Sequence, residues 1–255
     1  MILHSVTYGP ESDSEPVVFL GSIASTTDMW LPQLDELSKT RRVIALDHRG
    51  HGLSPDPDVT PGETTFDDLA ADVLSTLDEL GVDTFQVVGL SLGGAMAQYL
   101  TATSGRVTRA AFLCTAAYFG GTEKWHPRAE LTRAQGLEPM ADGVIDFWLT
   151  KDFQAAHPAT TAAYRRMVVS TRGIGYASCS DALAHWDFRD RLSEITVPVL
   201  ALAADQDQST PPEAVKAIAD GVSGPVEYVE VSPGAHVPTI EVPEQVTKAL
   251  VDFFG

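Results

Sequence analysis

Cysteine is scarce in this chain. Only Cys114 and Cys179 occur among 255 residues, without the spacing of a zinc site or a dense disulfide framework. Basic residues are also few, 17 Lys and Arg against 35 Asp and Glu, for a formal net charge of −18. Such a surface repels nucleic acid and anionic membranes, so neither is expected as a partner. No run of about 18 apolar residues occurs, which leaves no candidate membrane span. The opening stretch ILHSVTYGPESDSEP has neither a basic region nor a long apolar one. A soluble, cytoplasmic protein with reduced, structural cysteines is the expectation.

What is present is enough apolar material, 44% of residues, for one large core. Short β-rich runs fall at 16–22, 42–47, 85–90, 107–114, 197–203 and 226–231, with His4 in a first strand before them. Between them, FDDLAADVLSTLDELG (66–81), LGGAMAQYLTATSG (92–105), PPEAVKAIADG (211–221) and PEQVTKALVDFF (243–254) repeat apolar residues at three and four. Continuous apolar strands alternating with helices predict an α/β fold, a mostly parallel sheet with helices on both faces. Gly81, Gly105 and Gly221 fall where helices should stop.

From 118 to 185 the alternation breaks into several helical patterns with no apolar β run. This predicts an inserted helical lid on a core formed by 1–117 and 186–255. Residues 120–185 carry seven acidic and seven basic side chains, so the rest of the chain holds the whole net charge.

The stretch GLSLGG (89–94) lies between the run at 85–90 and the helix that follows. A serine at such a strand-to-helix turn is the arrangement of a nucleophile elbow, with Ser91 exposed at its tip and the Leu92 N–H at a helix N-terminus, where a developing oxyanion is favoured. The alternative is a serine N-cap with glycines for packing. A serine nucleophile needs a base, and the base needs a carboxylate to orient it, in the chain order Ser, acid, His. ALAADQDQSTPPE places Asp205 and Asp207 in a turn beyond an apolar strand, and SPGAHVP places His236 in a loop before the last helix. Asp207 is preferred, although spacing alone leaves both acids open. His48 and His51, in DHRGHGLS, precede the serine and are read as structural, and His126, His157 and His185 belong to the lid. FLGSIAST offers the Ile23 N–H as a second oxyanion donor.

These segments, in this order, resemble the α/β-hydrolase fold family over the whole chain. FLGSIASTTDMWLPQLDEL, FLCTAAYFGGTEKWHPR and RGIGYASCSDALAHWDFRDRL further resemble the 3-oxoadipate enol-lactonases. The resemblance implies a triad of Ser91, Asp207 and His236, an oxyanion hole from the N–H groups of Ile23 and Leu92, and hydrolysis of an enol ester within a lactone through an acyl-enzyme, with no metal or organic cofactor. Gly21-Ser22 stands where many relatives have His-Gly, as in the enol-lactonase-like branch, and Ala204 replaces the glycine of the family's G-x-x-D.

The expected partner is a small anionic lactone or ester, whose carboxylate needs a local cation against the acidic body. Arg128 is the candidate, with the Trp125 indole packing on or bonding to the ligand. Arg128 paired with Glu123 or Glu130 is the alternative. Met29, Trp30 and Trp148 are possible pocket walls, although residues at such spacing are more often core than site. A related carboxylesterase, a cofactor-free haloperoxidase-like enzyme, and a non-catalytic receptor for a small ligand are the competing functions. Oligomeric state is not legible in the sequence.

Overall fold

The computed structural model describes residues 1–11 and 14–255. In chain order the elements are β1 (Ser5–Tyr8), β2 (Val17–Leu20), α1 (Leu31–Leu37), β3 (Val43–Leu46), α2 (Phe66–Glu79), β4 (Phe85–Leu90), α3 (Leu92–Thr103) and β5 (Val107–Leu113). Then come α4 (Thr122–Gln135), α5 (Ala141–Trp148), α6 (Lys151–Ala156), α7 (Pro158–Ser170) and α8 (Gly173–Ala184). The chain closes with β6 (Val199–Ala204), α9 (Pro212–Gly221), β7 (Val226–Val231), α10 (Pro238–Glu241) and α11 (Pro243–Phe254).

The strands form one sheet in the order β1-β3-β2-β4-β5-β6-β7. Only β1 runs antiparallel, pairing Ser5 with Leu46 and Tyr8 with Val43; the other pairs are parallel. Every residue of β2, β3 and β6 is buried. Because alternate side chains point to opposite faces of a strand, both faces of the sheet are covered there. Helices pack along it in pairs, α1 with α11 and α2 with α3, while α9 lies on β6 and β7.

Helix boundaries follow local chemistry. Thr65 caps α2 through a reciprocal box with Asp68, and Gly81 and Gly105 leave α2 and α3 in the left-handed region at φ 68° and 66°. Gly221 departs from the expected stop signal: it is the last helical residue of α9, close against Leu192, and Val222 forms the cap.

The helices α4 to α8 lie between β5 and β6, and a single bridge between Tyr118 and Asp187 draws the ends of this segment together. Helices α4 and α8 pack on one another. The segment is pinned to the loop after β3, where the Arg172 N–H donates to Gly50 O at 3.1 Å and its Nη1 to Gly52 O at 3.0 Å. It is pinned again beside α10. The His236 and Val237 N–H groups donate to the carbonyls of Phe147 and Trp148, at the end of α5, at 3.2 and 3.0 Å. Among the described residues no helix is long and apolar enough to cross a membrane.

Candidate active site

Ser91 ends the apolar run of β4 in a backbone conformation that side chains rarely adopt, φ 57° and ψ −116°. Holding a non-glycine residue there costs on the order of 1–3 kcal/mol, which the close crossing of β4 and α3 enforces. A Cβ at Gly89 would stand 2.0 Å from Gly93 O, and one at Gly93 would stand 2.0 Å from Leu20 O. The turn is therefore closed to any larger residue at either position. Ser91 occupies the N-cap position of α3, yet its side chain makes no capping hydrogen bond. The hydroxyl instead lines a cavity that His236 also lines.

The two candidate acids separate cleanly. Asp207 Oδ2 lies 2.8 Å from His236 Nδ1, and the carboxylate accepts further bonds from the Ser209 N–H, the Thr210 N–H and the Thr210 hydroxyl at 2.8, 3.0 and 2.8 Å. Burial pushes the Asp207 carboxyl up, but the charge of His236 and these hydrogen bonds outweigh it and hold the group below the usual carboxylate range. Asp205 turns away, accepting from the Ser232 hydroxyl at 2.6 Å and the Gly234 N–H at 2.9 Å. It braces the turn that carries His236. Ala204, in place of a glycine, is a fully buried end residue of β6 and leaves the Asp207 turn intact.

Near Ser91, the Ile23 and Leu92 N–H groups have no hydrogen-bond partner among the described residues. Leu92 opens α3, so its free N–H carries the positive end of the helix dipole. The loop bearing Ile23 is held from below by the two early histidines. His48 Nε2 lies 2.9 Å from Gly21 O. His51 accepts the Ala24 N–H on Nε2 at 3.0 Å and donates from Nδ1 to Arg49 O at 2.9 Å. Ala24 sits at φ 68°, so the His51 bond holds a strained residue immediately after the free Ile23 donor. Burial lowers the pKa of both rings, that of His51 to about 3, so both stay neutral and His51 keeps the tautomer that accepts from Ala24. The reading of these histidines as structural holds, but what they support is the loop beside Ser91. Ser22 adds a fully buried hydroxyl at the cavity wall with no hydrogen-bond partner among the described residues.

The cavity, of about 140 Å³, is bounded above by the segment between β5 and β6. Phe119, Val144, Phe147, Trp148 and Tyr176 supply apolar wall, Lys124 and Arg128 supply cations, and among the described residues no acidic side chain lines it. Arg128 lies 5.1 Å over the Trp125 ring, and its charge opposes the burial that pushes the Tyr176 phenol pKa up. Neither Glu123 nor Glu130 pairs with it. Trp125 differs from one expectation: its Nε1–H donates to Phe119 O at 3.0 Å, so the indole N–H is not free to bond a ligand. Met29 and Trp30 are not cavity walls. Both are fully buried in the core, Trp30 edge-on to Phe19 and Met29 with its sulfur accepting the Ser22 N–H. Cys114 and Cys179 are free and buried, with thiol pKa values pushed up by burial, that of Cys179 to about 12.

Comparison with known proteins identifies the fold family. The sequence model of the alpha/beta hydrolase fold family matches residues 15–243. The chain is similar to 3-oxoadipate enol-lactonase 2 of Acinetobacter baylyi, 32% identical over 97% of this chain and 91% of the relative. Among solved structures it is similar to the enol-lactonase of Burkholderia xenovorans, with a TM-score of 0.93 and 34% identity over 99% of this chain and 96% of that one. A thermophilic esterase of Thermogutta terrifontis, solved with malate bound, gives a TM-score of 0.89 and 28% identity over 99% and 92%.

Proposed function

The chain belongs to the α/β-hydrolase fold family, and from that premise we propose that it is a serine hydrolase that opens 3-oxoadipate enol-lactone to 3-oxoadipate. The observation that carries the reading is the 2.8 Å contact of His236 with Asp207, in a cavity that His236 shares with Ser91. The 3-oxoadipate enol-lactonases among the relatives support the substrate.

The residues divide the work as follows. Asp207 fixes the Nδ1–H tautomer of His236 and stabilises the imidazolium that forms when Nε2 takes the Ser91 proton. Ser91 Oγ attacks the lactone carbonyl, and the tetrahedral oxyanion accepts hydrogen bonds from the Ile23 and Leu92 N–H groups. Collapse breaks the ring C–O bond, and His236 returns its proton to the departing enol oxygen. The enol ketonises, which draws the opening forward. Water, deprotonated by His236, then attacks the acyl-enzyme, and the second collapse restores Ser91 and frees the acid. The substrate carboxylate pairs with Arg128 while its carbon frame packs on Trp125. Helices α4 to α8 act as the lid over this chemistry.

The test is turnover of the enol-lactone beside neutral esters by the wild-type protein, Ser91→Ala and Arg128→Met. Loss of all hydrolysis in folded Ser91→Ala, by a factor on the order of 10⁴ or more, with a selective rise in KM for the anionic lactone in Arg128→Met, is the expected result. Full activity in Ser91→Ala refutes the triad. Equal loss on neutral and anionic substrates in Arg128→Met refutes the substrate reading and favours a general carboxylesterase, the alternative that the apolar walls and the Thermogutta esterase support.

A further inference from the structure

Arg128 is not the only cation at the cavity. Lys124, one helical turn earlier on α4, also lines it, and its Nζ lies 5.6 Å over the same Trp125 ring. Neither cation has a carboxylate partner among the described residues, in a chain where acidic residues outnumber basic ones two to one. The other lysines show the contrast. Lys39, Lys151, Lys216 and Lys248 are each within ion-pair distance of a carboxylate.

Helix stability does not account for Lys124. It sits in the first turn of α4, where the positive end of the helix dipole disfavours a cation. It is also four residues from Arg128, a spacing at which like charges repel. Burial and the neighbouring Arg128 lower its pKa, against the opposing charge of Asp207. Its stem is guided by Gly120, where an added Cβ would stand 3.1 Å from Lys124 Cδ. Two cations, both partly desolvated and neither neutralised, face one apolar-walled space. An occupant with two negative groups removes both costs at once.

We propose that Lys124 is a second anion-binding residue and that the cavity is matched to a dianion, a short dicarboxylate with one carboxylate on Arg128 and the other charge on Lys124. The inference rests on the reading of this cavity as the substrate site. In the proposed reaction the lactone enters with one carboxylate and the product leaves with two, so Lys124 acts most strongly on the charge that ring opening and hydrolysis create. Product therefore binds more tightly than substrate through this residue.

The experiment is calorimetric titration, at low salt, of the wild-type protein, Lys124→Met and Lys124→Arg with adipate and with hexanoate, which have the same chain length and differ by one carboxylate. Adipate is expected to bind the wild type roughly tenfold more tightly than hexanoate, the equivalent of one charge-assisted hydrogen bond. Lys124→Met should reduce that ratio to the statistical advantage of offering either carboxylate to Arg128, and Lys124→Arg should restore it. A wild-type ratio no larger than the statistical one, an unchanged ratio in Lys124→Met, or no binding of either acid overturns the proposal. Ser91-dependent hydrolysis of a neutral ester by the same preparations judges the triad separately, so the two readings fail independently.

Discussion

His51 offers the sharpest test of how the site is held. Its imidazole joins two backbone groups that face no water, the Ala24 N–H and the Arg49 carbonyl. Removing the ring orphans both, and each buried unpaired group costs about 1–3 kcal/mol. His51→Ala should therefore destabilise the fold by about 2–6 kcal/mol, a large part of a typical margin. Two finer substitutions separate stability from catalysis. A Gln amide reaches the place of Nε2 and presents an acceptor to Ala24. An Asn amide reaches the place of Nδ1 and presents a donor to Arg49. Both variants lose one bond and should lose similar stability, about 1–3 kcal/mol by denaturant titration. Their activities should diverge. With Ala24 released from φ 68°, the neighbouring Ile23 N–H is no longer aimed, and loss of one oxyanion donor lowers kcat by about 10²–10³. His51→Asn should approach that loss, while His51→Gln stays within about tenfold of wild type in a neutral-ester assay, the residual cost being imperfect aim of the donor. Equal kcat in the two variants at equal stability would show that Ala24 needs no anchor.

Further outcomes follow from the same site. The folded pKa of His51 is depressed to about 3 from 6.5, so between those values the unfolded chain binds the extra proton and stability falls as the pH is lowered, by up to about 1.4 kcal/mol per pH unit for this group. At pH 4.5 the loss is about 3 kcal/mol, with His48 shifted in the same direction; denaturant midpoints at pH 7 and 4.5 should differ less in His51→Gln. Asp207→Asn should lower kcat by about 10⁴ by removing the acceptor that sets the His236 tautomer. Asp205→Asn, which keeps one acceptor for the turn at Ser232 and Gly234, should cost less than about tenfold by loosening the His236 loop without touching its tautomer. The reverse order of losses in purified, folded proteins would exchange the two assignments.

Much of the fold was legible because the strands are buried on both faces and read as short, continuous apolar runs. The run at 85–90 coincides with β4, and the glycines that follow it mark a turn that admits no Cβ at Gly89 or Gly93. Ser91 and His236 stood out because chain order restricts the triad, whereas the acid did not. Asp205 and Asp207 are chemically identical and two residues apart, and only the direction of each side chain tells them apart. Met29 and Trp30, whose apolar spacing fits a cavity wall but more often a core, lie in the core. The partner of His51 lies 27 residues away, so no pattern within DHRGHGLS announces it. Lys124 was hidden by its neighbours, since in EKWHPR it reads as one charge in a balanced segment. The missing counter-charge appears only in three dimensions.

The two backbone bonds from His236 and Val237 to the end of α5 bear on how the molecule becomes active. Ser91 is positioned by the crossing of β4 and α3, which the sheet itself enforces. His236 takes its main-chain partners from Phe147 and Trp148, outside the sheet and far earlier in the chain. A molecule that has closed its sheet but not yet docked α5 would hold Ser91 in its turn while His236, still bonded to Asp207 at 2.8 Å, lacks its two main-chain partners. On the proposed mechanism, full activity belongs to the assembled chain, and its return is expected to follow the docking of α5 rather than the formation of the sheet.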